Sequence, residues 1–391
     1  MTNPGNSVLV IGDYRQTLTI IRSLGRAGYR VIAGVSGPGC GVEHSRYASA
    51  AWEHPGVVSN ESDFLSALVA YLREADNCVA VFPVGDAEIS CLARNAALLP
   101  DSLVTVMPSP DTALLCQDKQ AVYELVTALG IPSTGGRTVA SYQDLESAVD
   151  EIGCPCVIKP NDPLEPFLGV KAIILRDGDR LRSAVPHWPE GHDQVLVQPF
   201  FSGDRHTCHF AAVDGEVLSF SEYRILRTDR ADGTGYLVDG VSMKPHERLQ
   251  DYVQALAAGL GYSGVGSAQF LVDEASDTAA FLEINPRLGA SCALPYHCGS
   301  DLPLMAMQIA EYAAGASSKP TAVAEKNIVG KRIAWVFGGL QGVLHDWRNG
   351  RINLSQAAES VVRSISSLFR RGCHATWWWK DPLPTLVIYG T

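Results

Sequence analysis

Apolar and polar positions follow two periods along this chain, and the switches between them mark out the elements. Ser7 to Gly12 reads as a short apolar strand, Thr17 to Ala27 carries Leu18, Ile21 and Leu24 on one helical stripe, and Arg30 to Val35 is a second strand. Together they make a βαβ unit. Helical spacing returns in Asp63 to Arg73, followed by the strand Cys78 to Phe82, the turn Pro83-Val84-Gly85-Asp86 opening another helix, and the strand Leu103 to Met107. This alternation predicts a parallel sheet covered by helices. No GxGxxG follows the first strand, so a dinucleotide is not indicated.

Pro108-Ser109-Pro110 punctuates the chain, and a helical segment is expected from Asp111 through Asp118 and Lys119 to Leu129, ended by Gly130-Ile131-Pro132. Ser141 and Asp144 resemble a capping box for a helix over Tyr142 to Ile152. The apolar strand Cys156-Val157-Ile158 then delivers Lys159 at its end, where burial of the stem makes an unpaired ammonium costly. Further strands are expected at Val170 to Leu175 and Gln194 to Phe200, with hairpins Thr207 to Val213/Glu216 to Ile225 and Gly264 to Val272/Ala279 to Ile284. Arg224, Arg227 and Arg230 read as a solvated loop rather than an anion site. Helices are expected at His246 to Leu260, capped by Gly261, and at Asp301 to Ala314. Ser317 to Glu325 reads as a linker, and the tail holds a basic helix over Ser355 to Arg371 and the aromatic run Trp377-Trp378-Trp379.

At 391 residues, with 46% apolar and 19% charged residues, the chain is expected to form two or three globular domains. The net charge of -11 argues against nucleic acid or an anionic membrane as partner, so the tryptophans read as a packing patch or interface. The ten cysteines contain no CxxC pair and read as reduced, with Cys154 and Cys156 in an apolar strand. No signal-like segment or span-length apolar stretch is present, and a cytoplasmic location is expected.

The chemistry concentrates in Phe281 to Ser291, FLEINPRLGAS. Glu283 and Asn285 are two apart, which on an extended strand places both side chains on one face. Two hard oxygen donors side by side suit Mg²⁺. Arg287 adds a planar cation able to hold phosphate or carboxylate at two points. Pro286 stops the strand and Gly289 permits a tight turn. An ordinary edge strand with solvated polar residues has the same spacing.

The order of these pieces resembles the ATP-grasp superfamily from about residue 8 to about residue 315: an α/β leader, Asp118-Lys119 opening a helix, Gly130-Ile131-Pro132, Val157-Ile158-Lys159-Pro160, the hinge Gln198 to Gly203, Gln269-Phe270, and Glu283-Ile284-Asn285-Pro286-Arg287. The tail Lys380 to Pro384 is similar to a branch of predicted ATP-dependent carboligases related to biotin carboxylase. The resemblance implies an α/β and α+β protein in four parts: an N-terminal Rossmann-like parallel-sheet domain (1–116), two α+β subdomains clasping ATP (117–190 and 191–318), and a C-terminal helical and aromatic extension (319–391). It implies that Lys119 and Lys159 reach the nucleotide phosphates and that Gln198, Pro199, Phe200 and Phe201 line the adenine pocket. His206 falls at a nucleotide-contacting position, and Gln269, Glu283 and Asn285 take Mg²⁺, with Mn²⁺ as an alternative.

Three departures stand out. The phosphate-covering loop, normally glycine-rich, reads Asn161 to Gly169 with two prolines and two carboxylates. Gln269 replaces a carboxylate, and Arg205 stands where many amino-acid ligases have glutamate. The expected function is ATP-dependent ligation of a small carboxylate to a small amine through an acylphosphate, with Arg287, Glu283 and Asn285 carrying the chemistry and Gly289 and Ser291 shaping the acceptor site. Bicarbonate phosphorylation and a non-catalytic nucleotide-binding module are the alternatives, and a homodimer is left open.

Overall fold

The computed structural model describes residues 6–37, 39–75, 77–161, 167–322, 328–370 and 372–390. Positions 162–166 of the proline-containing loop and 323–325 of the expected linker lie outside them. Within the described residues the chain forms three sheets of five, four and seven strands.

The first sheet is parallel, β1 (Ser7–Ile11), β2 (Arg30–Val35), β3 (Ala50–Glu53), β4 (Cys78–Pro83) and β5 (Val104–Thr105), in the order β3-β2-β1-β4-β5. The order reverses between β1 and β4, where crevices form at the carboxyl ends of strands in open parallel sheets. Apolar side chains leave both faces: Leu9, Ile11 and Val81 pack on the helices Glu61–Glu74 and Asp86–Arg94, and Val8, Val10 and Phe82 on the other side. Burial on both faces is why these strands read as continuous apolar runs.

The second sheet holds β6 (Arg137–Val139), β7 (Cys156–Pro160), β8 (Ile173–Leu175) and β9 (Val195–Pro199), ordered β6-β9-β7-β8, over a core of Leu145, Val149, Ile158 and Val197. The third comprises β10 (Asp204–Val213), β11 (Glu216–Thr228), β12 (Leu237–Ser242), β13 (Gly264–Asp273), β14 (Thr278–Asn285), β15 (Arg332–Ala334) and β16 (Gly372–His374), ordered β14-β13-β10-β11-β12-β15-β16. Period-2 alternation gives it two distinct faces. Cys208, Phe210, Ala268 and Phe270 point to one face, against Leu249, Val253 and Leu256 of the helix Glu247–Leu260 and Val122 and Val126 of the helix Lys119–Ala128. Ala211, Val213 and Val265 point to the other, against Met305, Ala306 and Ile309 of the helix Leu302–Ala313 and the first sheet's core.

Several sequence expectations need correction. The helix expected from Asp111 to Leu129 is two, Pro110–Gln117 and Lys119–Ala128, because the Asp118 side chain accepts from the amides of Gln120 and Ala121 and starts a new helix. Arg224 and Arg227 lie on the long strand β11, not on a solvated loop, and Arg230 follows it. The tail contributes β15 and β16 to the third sheet. Cys154 is exposed ahead of β7 rather than inside it, and the ten cysteines are free thiols.

The tail also reaches back to the first unit. Asp381 is buried against Arg22 of the helix Arg15–Arg26, with Oδ2 2.9 Å from Nε, and accepts from Ser45 Oγ at 2.7 Å and the Arg46 amide at 2.9 Å. Trp378 stacks on Tyr47 at 5.7 Å, so this tryptophan serves packing. Among the described residues no helix is long and apolar enough to cross a membrane.

Candidate active site

On β14, Glu283 and Asn285 share a face, and Asn285 Nδ2 donates to Glu283 Oε1 at 3.2 Å. Antiparallel register sets Gln269 of β13 directly opposite Glu283, so the three side chains expected to share a cation lie on one face of the sheet. The register slips between Gln269 and Phe270, which pair with Glu283 and Phe281, leaving Leu282 as the extra residue. Its carbonyl accepts from Tyr123 Oη at 3.1 Å.

Tyr123 was not evident in the sequence reading, and it gathers the expected phosphate groups. It stands one turn after Lys119 on the same helix, a spacing that puts both on one face. Its hydroxyl accepts from Gln198 Nε2 at 2.9 Å and from Lys159 Nζ at 3.4 Å. Lys119 Nζ donates to the carbonyl of Pro160, next to Lys159. Gln198 is buried and also donates to the Gly135 carbonyl at 2.6 Å, so it braces the hinge. Pro199 is exposed and Phe200 and Phe201 are half-buried beyond it. Burial pushes the Lys159 ammonium down to about 8, against an opposing pull from Glu283. A cavity of about 40 Å³ opens among Asp86, Lys119, Tyr123, Glu283 and Asn285.

Arg287 does share this region, with Nη2 3.4 Å from Asn285 Oδ1, but its main partner was missed. Asp86, the first residue of the helix after β4, takes Nε and Nη2 on its two oxygens at 2.6 Å each. Burial opposes the guanidinium charge, yet Asp86 outweighs it and the Arg287 pKa is raised. The sequence signal was Gly85-Asp86 at the end of a parallel strand next to the point of strand-order reversal. Beside it Glu88 accepts from Tyr14 Oη at 3.2 Å, and burial lifts Glu88 to about 7.

Beyond Arg287 the chain folds over His209 of β10. Ser291 Oγ lies 3.3 Å from His209 Nε2 and also meets the Tyr223 hydroxyl. Burial, then the nearby Arg287 charge, drives His209 down to about 3, so it is a neutral imidazole. A Cβ on Gly289 would stand 2.9 Å from His209 Cε1, so only glycine admits this close approach. Arg205, also on this face, donates to the Gly235 carbonyl at 2.9 Å and feels the Glu283 charge.

His206 is not part of this group. It pairs with Phe270, whereas its neighbour Thr207 pairs with Gln269, so alternation turns His206 to the opposite face. There it meets Glu222 and His246. A larger cavity of about 150 Å³ lies on the far side of Arg287, lined mainly by apolar groups such as Phe82, Val265 and Ile309.

Comparison with known proteins follows this geometry. The family described as "Carbamoyl-phosphate synthase L chain, ATP binding domain" matches residues 239–316, which include Gln269, Glu283, Asn285 and Arg287. The formate-dependent phosphoribosylglycinamide formyltransferase of Mycolicibacterium smegmatis is 26% identical over 302 residues, 72% of this chain and 69% of that protein. An N5-carboxyaminoimidazole ribonucleotide synthetase in complex with ADP superposes with a TM-score of 0.64 at 14% identity, over 88% of this chain and 85% of that one. The biotin carboxylase domain dimer of Hydrogenobacter thermophilus 2-oxoglutarate carboxylase, in complex with MgADP, ADP and bicarbonate, gives 0.62 at 17% identity, over 83% of this chain and 72% of that one. With the α/β leader, the two further sheets and the motif order running through them, these matches show that the chain has the ATP-grasp fold.

Proposed function

We propose that the chain is an ATP-dependent ligase that joins a small carboxylate to a small amine. The observation that carries this reading is that Lys119, Glu283 and Asn285 line one cavity with Asp86, while Arg287 reaches Asn285 and Lys159 reaches Tyr123 at its edge. In this reaction a carboxylate oxygen attacks the γ-phosphorus of ATP, the bond to the β-phosphate oxygen breaks, and ADP leaves. The amine then attacks the acyl carbon and phosphate departs. No protein nucleophile is needed, so catalysis rests on position, charge and exclusion of water.

The side chains suit those tasks. Gln269, Glu283 and Asn285 offer one carboxylate and two amide oxygens, a hard donor set that fits Mg²⁺ or Mn²⁺. An ion held there supplies neutralisation of charge on the phosphate oxygens. Lys119 and Lys159 bind the phosphates, and the segment from Gln198 to Phe201 borders the base. Arg287 faces the transferring group. Asp86 fixes its fork and keeps it from collapsing onto Glu283. The neutral His209 and Ser291 shape the acceptor side.

Bicarbonate is the second carboxylate to consider, because a neighbour of the same fold was solved with bicarbonate and MgADP. The dimer in that neighbour's title supports testing this chain as a homodimer. The deciding experiment measures ADP and phosphate release from purified protein with Mg-ATP, against pooled amino acids, sugar acids and bicarbonate. A pool that stimulates the wild type but not Glu283→Ala, with a loss on the order of 100-fold or more, supports the ligase. ATP bound without turnover in any pool favours a non-catalytic nucleotide-binding module.

A further inference from the structure

Behind the sheet face that carries Glu283, two histidines close on one carboxylate. His206 of β10 and Glu222 of β11 have fully buried side chains, while His246, just ahead of the helix Glu247–Leu260, is 38% exposed. His206 Nδ1 and His246 Nδ1 each lie 2.6 Å from the same oxygen, Glu222 Oε1. The other oxygen, Oε2, accepts the His246 amide at 2.7 Å. One ligand atom from each side chain falls within 4.8 Å of the others.

This arrangement exceeds what holding the helix requires. A carboxylate accepting one backbone amide caps the first turn by itself, and one imidazole satisfies the remaining oxygen. A second imidazole, wholly buried, has been placed on an oxygen already served. Its Nε2 is buried with no hydrogen-bond partner among the described residues, an arrangement that costs stability. Glu222 holds the proton on Nδ1 of His206 here, and metal ligation at Nδ1 would shift it to Nε2, where no described partner competes.

We infer that His206, Glu222 and His246 form a binding site for a divalent transition-metal ion of the zinc type. Two imidazole nitrogens and one carboxylate oxygen are a zinc donor set with a fourth position left for water, and exposed His246 puts that position on the solvent side. Mg²⁺ prefers oxygen ligands and belongs on the other face. Ligand bonds of about 2.0–2.2 Å in tetrahedral geometry would set the ligating atoms roughly 3.3 Å apart. The present 2.6 Å contacts therefore open by less than an ångström, which His246 can provide from its place ahead of the helix. As the ion takes each Nδ1, a neutral ring moves the proton it donates to Glu222 from Nδ1 to Nε2, and an imidazolium releases its Nδ1 proton to water and keeps the one on Nε2. The ion would clip β10 and β11 to the helix that backs the strand of Gln269.

Cobalt(II) is the probe, added to tag-free full-length protein in excess Mg²⁺ so that the oxygen site is filled. One Co²⁺ per chain with visible d–d absorption is expected, displaced by one equivalent of Zn²⁺, and Zn²⁺ should raise the melting temperature. His246→Ala, whose half-exposed side chain makes it tolerable to the fold, should weaken the site by about 100-fold or more, while Glu283→Ala should leave the band intact. Absence of a stoichiometric band in the wild type overturns the site. So does a band that survives His246→Ala or disappears with Glu283→Ala.

Discussion

Lys159 shows how one half-buried residue combines a stability penalty with a proposed task. Its ammonium is enclosed beside Tyr123 and is pushed down to about 8, so it loses its proton as pH rises through that value. Folding has to carry a charge that burial disfavours, and this penalty is greatest below pH 8. Replacing the lysine with an apolar side chain of similar length should therefore raise the melting temperature at neutral pH while weakening ATP binding. In the wild type, calorimetry should show ATP affinity falling above pH 8 by as much as ~10-fold per pH unit, and Lys159→Arg, charged throughout, should flatten that fall. A flat wild-type profile would remove Lys159 from the phosphates. The placement of Lys159, Glu283 and Asn285 on their strands was legible because a strand's period fixes where neighbouring side chains point. Tyr123, Asp86 and His209 were not, because each acquires its part by touching residues distant in the chain. His206 shows the cost of a one-residue step: its neighbour faces the site, and it does not.

At the scale of elements, long periodic segments were legible and short ones were not. Tyr142–Ile152 has the bounds its pattern predicts, with Ser141 accepting the Asp144 amide at 3.1 Å. β12 was missed because Leu237–Ser242 contains aspartate and glycine. β15 and β16 are three residues each and exist through pairing with strands far away, a long-range effect with no local pattern. The buried Arg22–Asp381 pair anchors the tail that supplies β16. Arg22 further donates to the carbonyls of Thr376 at 2.7 Å and Asp381 at 2.9 Å. Asp381→Ala strands a buried guanidinium and should cost about 3–5 kcal/mol, seen as a lower denaturation midpoint. A change of a few tenths of a kcal/mol would mean that the tail is held by Trp378 and its neighbours instead.

Across the whole molecule, all three sheets supply the proposed site: Asp86 follows the first, Lys159 ends a strand of the second, and Glu283 and Asn285 end a strand of the third. A site shared in this way can respond to substrate on one unit by moving a group on another, and the Asp86–Arg287 fork is the covalent-free link best placed to do so. Both partners are 18% exposed, so the pair is largely withdrawn from water and its loss is felt in function as well as in folding. Removing Asp86 leaves Arg287 charged, buried and within reach of Asn285 Oδ1, where it would compete with a cation for that oxygen. Removing Arg287 leaves Asp86 as an extra negative charge near the phosphates. Each single alanine variant should therefore lower ATP turnover by about 100-fold, and the double variant should fall little further, because the two residues act as one unit. Kinetics on the four proteins of this cycle measure the coupling directly. Strictly multiplicative losses would show that Asp86 and Arg287 serve separate steps, and the first unit would then be a scaffold for the site with no part in aiming its cation.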